Sequence, residues 1–262
     1  MNLDVVITTY GDALRLHRCL EGFQQQTDQD FTLHVVNAGG PEFGLSRPVR
    51  EAHDERLHLY ALPASTQFLA GHARNLGLAN VLSPRVLFVD GDCIPARDVV
   101  AQHKLAEPNQ VIAGGRRRIK QSAISRLATE TAHSLSRPDP RLSRGWFSDR
   151  GPCSHLWCET CHISYPTAAI RALGGFWERI RSWGGEDVEM AWRAFHSGLR
   201  LWGWPDVLVY HLDHPKRPEA KVSFEVKQQR LQSILDASHH EWAKTGSLVR
   251  NQPAANTSPL PT

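Results

Sequence analysis

The chain has 262 residues, 41% of them hydrophobic and 22% charged, enough apolar material for one sizeable globular domain. A formal net charge of +3 falls far below that of a dedicated nucleic-acid binder, and five cysteines, an odd number spread along the chain, do not make a disulfide framework. The start has no basic region followed by an apolar stretch, and no window nears the roughly 18 uninterrupted apolar residues of a membrane span, so the reading is of a cytoplasmic protein, with peripheral attachment to a membrane left open.

Leu3 to Thr8 is a short apolar run read as a strand, with Gly11-Asp12 punctuating its end. Leu14 to Gln26 carries Leu16, Cys19, Leu20 and Phe23 at helical spacing. Phe31 to Val36 reads as a second strand closed by Gly39-Gly40-Pro41, Arg56 to Leu62 as a third, His72 to Leu82 as a helix, and Arg85 to Val89 as a fourth strand. Such alternation predicts an α/β fold, a mostly parallel central sheet flanked by helices. Ligands in such sheets bind beyond the carboxyl ends of the strands, which singles out Thr8 to Asp12, Asn37 to Gly40 and Asp90 to Cys93.

Val111 to Gly115 is a candidate fifth strand, and Ser122 to Ser134 reads as helical. Arg137 to Thr160, rich in Pro, Ser, Arg and Gly, reads as a long loop and a candidate lid. Thr167 to Leu173 is a short helix ended by Gly174-Gly175, and Asp187 to His196 a better one stopped by Gly198. Leu201 to Tyr210 supplies one or two strands interrupted at Pro205. Lys221 to Lys244 is a polar amphipathic helix, a cover for the domain or a homodimer contact, and the residues from Gly246 onward read as a disordered tail.

Three clusters carry chemistry. Asp90-Gly91-Asp92 sets two carboxylates at the end of the fourth strand, suited to a divalent cation, with Gly91 allowing a sharp turn; an acidic turn is the plain alternative. Trp183-Gly184-Gly185-Glu186-Asp187-Val188-Glu189 sets a carboxylate pair at a helix start, where an ionised acid could take a proton from a hydroxyl. Trp183 beside it offers a flat face for a sugar ring, although a core Trp is the commoner use. His211-Leu212-Asp213-His214 follows an apolar strand and can complete a site for Mn²⁺ or a similar ion.

Cys153, Cys158, Cys161 and His162, with His155 between, have some look of a zinc site, but the usual paired spacing is missing and Cys161 leads into an apparent strand. Gly114-Gly115-Arg116-Arg117-Arg118-Ile119-Lys120 is a basic run that either contacts phosphate or lies along a solvated strand edge.

Together these blocks resemble family 2 glycosyltransferases of the GT-A fold. The resemblance rests on Val5-Val6-Ile7-Thr8-Thr9-Tyr10, Ala73-Arg74-Asn75-Leu76-Gly77-Leu78-Ala79, Leu87-Phe88-Val89-Asp90-Gly91-Asp92-Cys93, and Leu173-Gly174-Gly175-Phe176 followed by Gly184-Gly185-Glu186-Asp187. The last block is similar to the acceptor-side motif of galactosyl- and N-acetylgalactosaminyltransferases and of chondroitin-polymerase domains. The resemblance implies an inverting, metal-dependent transfer of a hexose or N-acetylhexosamine from a nucleotide-diphosphate sugar, a UDP-sugar by preference, to a glycan, lipid-linked or other hydroxyl acceptor. A nucleic-acid acceptor stays open. Thr8, Tyr10, Asn37, Arg74, Asp90 and Gly91 would border the donor. Asp92, Asp90, His211 and His214 would hold Mn²⁺ or Mg²⁺. Asp187 would be the general base, with Trp183, Gly185 and Glu186 placing the acceptor. Residues 1–245 would form one domain: a donor half, 1–115, an acceptor half, 116–215, and a C-terminal helix, 216–245. Asn37-Ala38-Gly39-Gly40 stands where the family carries acidic residues that read the nucleoside. A nucleotidyltransferase on a similar sheet would need a Gly-rich basic loop after the first strand, and Thr8-Thr9-Tyr10-Gly11-Asp12 is none. A non-catalytic carbohydrate- or metal-binding module gives no reason for a metal cluster and a separate acid pair in one chain.

Overall fold

The computed structural model describes residues 2–41, 55–144, 148–215 and 221–245. Strand β1 (Leu3–Thr9) is buried along its whole length, as a strand covered on both faces is, and the buried Asp4 accepts from the Ser83 amide at 2.9 Å. Helix α1 (Ala13–Gln24) begins at Asp12, whose carboxylate accepts from the Arg15 amide at 3.1 Å, and it buries Leu16, Cys19, Leu20 and Phe23. Strands β2 (Phe31–Asn37) and β3 (Leu57–Ala61) follow, then helix α2 (Ala70–Asn80) and strand β4 (Arg85–Asp90). Gly77 lets α2 lie directly on β1, since a Cβ there would stand 2.4 Å from Val6 Cγ1.

Beyond β4 the chain adds two elements the pattern did not announce, β5 (Cys93–Pro95) and α3 (Val99–His103), both too short to show a period. Strand β6 (Gln110–Ile119) is longer than the apolar run Val111 to Gly115 and extends through the basic residues. The helix expected over Ser122 to Ser134 is absent. Two 3₁₀ turns (Gln121–Arg126 and Thr129–Thr131) and a short α4 (Ala132–Leu135) stand in its place. Hydroxyl side chains compete for the backbone there: Thr131 Oγ1 donates to the Ala128 carbonyl at 2.9 Å. The loop 137–160 carries only β7 (Arg137–Pro138), β8 (Gly151–Pro152) and further 3₁₀ turns, and its residues 145–147 lie outside the described residues.

Strand β9 (His162–Pro166), α5 (Thr167–Ala172), α6 (Glu186–His196), β10 (Arg200–Leu212) and α7 (Phe224–Thr245) complete the order. The expected tail from Gly246 lies outside the described residues. β10 is one strand with an irregularity between Trp204 and Leu208, where Pro205 has no N–H to offer its neighbour.

The sheet order is β3-β2-β1-β4-β9-β6-β10-β5. The first four strands are parallel, as expected, but the sheet becomes mixed beyond them, because β9 enters antiparallel to both β4 and β6. Alternate side chains point to opposite faces. Val5, Ile7, Leu87 and Val89 therefore pack with α1, while Val6, Val86 and Phe88 pack with α2, α6 and Phe176. Arg193 on α6 is fully buried; it donates to Glu189 at 2.8 Å and to the carbonyls of Leu173 and Gly175 at 2.6 and 2.8 Å. Ser238 on α7 donates to the same Glu189. This network fixes α6, and with it the carboxylates at its start.

Candidate active site

The carboxyl end of β4 turns back over β1. The Gly91 amide donates to the Thr8 carbonyl at 2.8 Å, and a Cβ on Gly91 would stand 3.0 Å from Thr9 Cβ. That turn delivers Asp92 to β10: β5 pairs with β10 through Cys93 and His211, and the Leu212 amide donates to the Asp92 carbonyl at 2.8 Å. His211 Nε2 and His214 Nε2 consequently stand 3.5 and 3.2 Å from Asp92 Oδ2. One ligand atom from each of Asp92, His211 and His214 lies within 4.8 Å of the others, the only such group of three among the described residues. Burial works to raise the Asp92 carboxyl, but His211 and His214 outweigh it and hold it well below the usual range. Burial lowers His211, while the hydrogen bond that His214 donates to Asp92 raises His214.

Asp90 does not join this group, contrary to expectation. Its Oδ1 accepts from Arg74 Nη2 at 3.1 Å, and Arg74 Nη1 donates to Glu186 Oε1 at 2.7 Å. Arg74 is 4% exposed, and its guanidinium lies 5.4 Å from the Phe176 ring centroid. One cation thus ties the end of β4 to the start of α6, and Asp90 spends its charge on that tie rather than on the histidines. Glu186 Oε2 is buried without a hydrogen-bond partner.

Gly184 and Gly185 adopt φ of +84° and +102°, and Gly185 forms the left-handed start of α6. Any other residue would be strained there. The turn aims Asp187 into the cleft, where the Thr160 amide approaches its Oδ2 at 3.4 Å. Burial, then the negative charges of Glu186 and Glu159, push the Asp187 carboxyl up to about 8. Trp183, 39% exposed, stands on the rim beside it.

These groups line one cleft of about 680 Å³. Thr8, Tyr10, Arg74, Asp90, Gly91, Asp92, Trp183, Gly185, Glu186, Asp187, His211 and His214 all border it. Asn37 does not. It is fully buried, and its amide accepts from the Gly40 N–H at 3.0 Å and donates to the Gly40 carbonyl at 2.8 Å, so it shapes the loop behind the cleft wall instead of facing a base.

The suggested zinc cluster does not assemble. Cys153 and Cys158 pack on the α6 face of the sheet and Cys161 on the α1 face, while His162 Nε2 lies 2.8 Å from His103 Nε2. The three arginines of the basic run on β6 have internal partners, Arg116 meeting Asp139 and Glu159 at 2.7 and 3.1 Å, Arg117 the Ser136 hydroxyl at 2.6 Å and Arg118 Asp213 at 2.6 Å, and Arg116 also lines the cleft. Glu159, Lys227 and Arg230 also border the cleft and were not singled out from sequence. Glu159 lies in an irregular segment and the two cations on a helix with mixed charge, so no local pattern marked them.

The profile for "Glycosyl transferase family 2" matches residues 4–165, and that for "N-terminal domain of galactosyltransferase" matches residues 154–216. The chain is 27% identical over 249 residues to validoxylamine A glucosyltransferase of Streptomyces hygroscopicus subsp. jinggangensis, a match covering 84% of this chain and 58% of that protein. It is 32% identical over 150 residues to pre-mycofactocin glycosyltransferase of Mycobacterium tuberculosis, covering 54% of this chain and 29% of the relative. The chain therefore spans little more than half the length of the first of these relatives. Among solved structures, S. aureus TarS 1-349 in complex with UDP-GlcNAc superposes with a TM-score of 0.69 at 15% identity, covering 91% of this chain and 66% of TarS 1-349. No described helix is long and apolar enough to cross a membrane. With two consecutive profiles spanning residues 4–216 and this neighbour in fold, the chain belongs to glycosyl transferase family 2 and has the GT-A fold.

Proposed function

We propose that the chain transfers a hexosyl or N-acetylhexosaminyl group from a nucleotide-diphosphate sugar, a UDP-sugar by preference, to a hydroxyl acceptor with inversion at the anomeric carbon. The observation that supports this reading is that Asp92, His211 and His214 gather in the same cleft as the buried Asp187 carboxyl, while Arg74 ties Asp90 at the end of β4 to Glu186 at the start of α6.

The donor set of Asp92, His211 and His214, one carboxylate and two imidazoles that both turn Nε2 toward Asp92, would suit Mn²⁺ better than the oxygen-seeking Mg²⁺. When bound, such an ion neutralises the diphosphate and helps it leave. The chain's own residues do the rest. Glu186, held by Arg74, has Oε2 free to accept a hydrogen bond from the acceptor. Ionised Asp187 takes the proton from the attacking hydroxyl as its oxygen bonds to the anomeric carbon. The bond from that carbon to the phosphate oxygen breaks, and the nucleoside diphosphate leaves with the electron pair. No protein nucleophile intervenes, so displacement is in line and the configuration inverts. Residues 1–115 hold the donor and 116–215 the acceptor, with the C-terminal helix closing the cleft.

Calorimetric titration of UDP and other nucleoside diphosphates, with and without Mn²⁺, tests the donor side. Metal-dependent binding that Asp92→Ala abolishes is the expected result. Equal binding with and without metal sinks the trio's assignment.

A further inference from the structure

Helix α7 turns one stripe toward the body of the protein, which includes Lys227, Arg230, Leu231, Ile234, Ser238 and Glu241. The three- and four-residue steps keep them on one face. Ile234 packs on Trp177 and Ile180 and would meet a Cβ on Gly185 at 3.0 Å, Ser238 reaches Glu189, and Glu241 pairs with Arg179 at 2.6 Å. These anchors leave the first turns of α7 over the cleft, where Lys227 and Arg230 join its lining. Lys227 Nζ stands 6.0 Å from the Trp183 ring centroid.

Neither cation has a carboxylate partner among the described residues, and Arg230 Nη2 is shielded from solvent without a hydrogen-bond partner. Of the carboxylates that line the cleft, Asp90 and Glu186 pair with Arg74, Glu159 with Arg116 and Arg141, Asp12 with Arg15 and Asp92 with the two histidines, while Asp187 accepts from the Thr160 and Val188 amides. A nucleoside diphosphate would have its charge met by an ion held at Asp92, His211 and His214. Two cations one turn apart beside Trp183 and the Gly184-Gly185 turn are left without a carboxylate partner among the described residues.

We infer that Lys227 and Arg230 form an anion subsite on the acceptor side, so that the acceptor carries a phosphate or carboxylate beside the hydroxyl that is glycosylated. This rests on the acceptor lying at the Trp183 end of the cleft. Phosphate and carboxylate share the recognising chemistry, a planar guanidinium fork and an ammonium meeting paired oxygens.

Calorimetry on protein saturated with UDP and Mn²⁺ compares glucose 6-phosphate, glucuronate and neutral methyl glucoside as probes. At least about tenfold tighter binding of one anionic probe over methyl glucoside is expected, glucose 6-phosphate against glucuronate telling phosphate from carboxylate. The double substitution K227Q/R230Q brings that ratio close to one, and the charge-keeping K227R/R230K retains a preference. A wild-type ratio near one, failure to bind any probe, or a ratio unchanged in K227Q/R230Q overturns the inference. Should UDP itself fail to bind, the donor reading falls separately, and the same ratio measured without UDP still decides the subsite.

Discussion

Asp187→Asn replaces a carboxyl that burial and neighbouring acids push up to about 8 with an amide of the same shape that never ionises. A folded-state value above the ordinary 3.8 means that the folded chain holds a proton the unfolded chain has lost, so stability falls as pH rises between the two values. From 3.8 to pH 7 is about three units at about 1.4 kcal/mol each, or about 4 kcal/mol against the folded state for a carboxyl wholly cut off from water. Asp187 retains part of its exposure on the cleft wall, and solvent screening there reduces the expected gain of the variant to about 1–3 kcal/mol. Denaturant unfolding of the metal-free wild type and variant from pH 4 to 9 reads this directly. The two curves should meet near pH 4, separate as pH rises, and run parallel above about 8, while transferase turnover of the variant collapses at every pH. The wild type's kcat/KM should rise with pH through about 8, because the base must be ionised. A variant no more stable than wild type at pH 7, or one that keeps turnover, refutes the reasoning.

Arg74→Ala leaves Asp90 and Glu186 facing one another without their shared cation, and should cost about 3–5 kcal/mol in chemical denaturation. Arg74→Lys, a point charge that reaches one acid at a time, should keep the fold but lose most of the turnover; full activity in the lysine variant would show that the double tie is unnecessary. Gly185→Ala places a side chain at φ +102° and 3.0 Å from Ile234, and a loss of about 1–2 kcal/mol with lowered turnover is expected by thermal scan and transferase assay, whereas an unaltered melting point would mean α7 gives way freely.

The parallel half of the sheet was legible because its strands are apolar on both faces and separated by helices of clear period, as in Leu3–Thr9 and Ala13–Gln24. The Asp90-Gly91-Asp92 and Gly184-Gly185-Glu186-Asp187 blocks stood out by their place, the first at the carboxyl edge of a strand and the second at a helix start, and by their order along the chain. What stayed hidden depends on side chains meeting across long separations. Arg74 reaches Asp90 and Glu186 only after α2, β4 and α6 have docked, so the sequence could name Asp90 but not its partner. Asn37 faces the loop rather than the ligand because two backbone groups of Gly40 saturate its amide, a local turn that composition does not announce. The cysteines fail as a cluster because Cys161 packs into the core on one side of the sheet and Cys153 and Cys158 into the core on the other. Ser122 to Ser134 has helical hydrophobic spacing but hydroxyls that hold the backbone in turns.

The most direct test of inverting, metal-assisted transfer by Asp187 needs no knowledge of the acceptor, because water can take its place. Proton NMR of the sugar first released from a panel of α-linked UDP-hexoses, before mutarotation, reads the stereochemistry. Mn²⁺-stimulated release of the β anomer, lost in Asp187→Asn, is the predicted result. Release of the α anomer, or hydrolysis at the wild-type rate without Asp187, would contradict it.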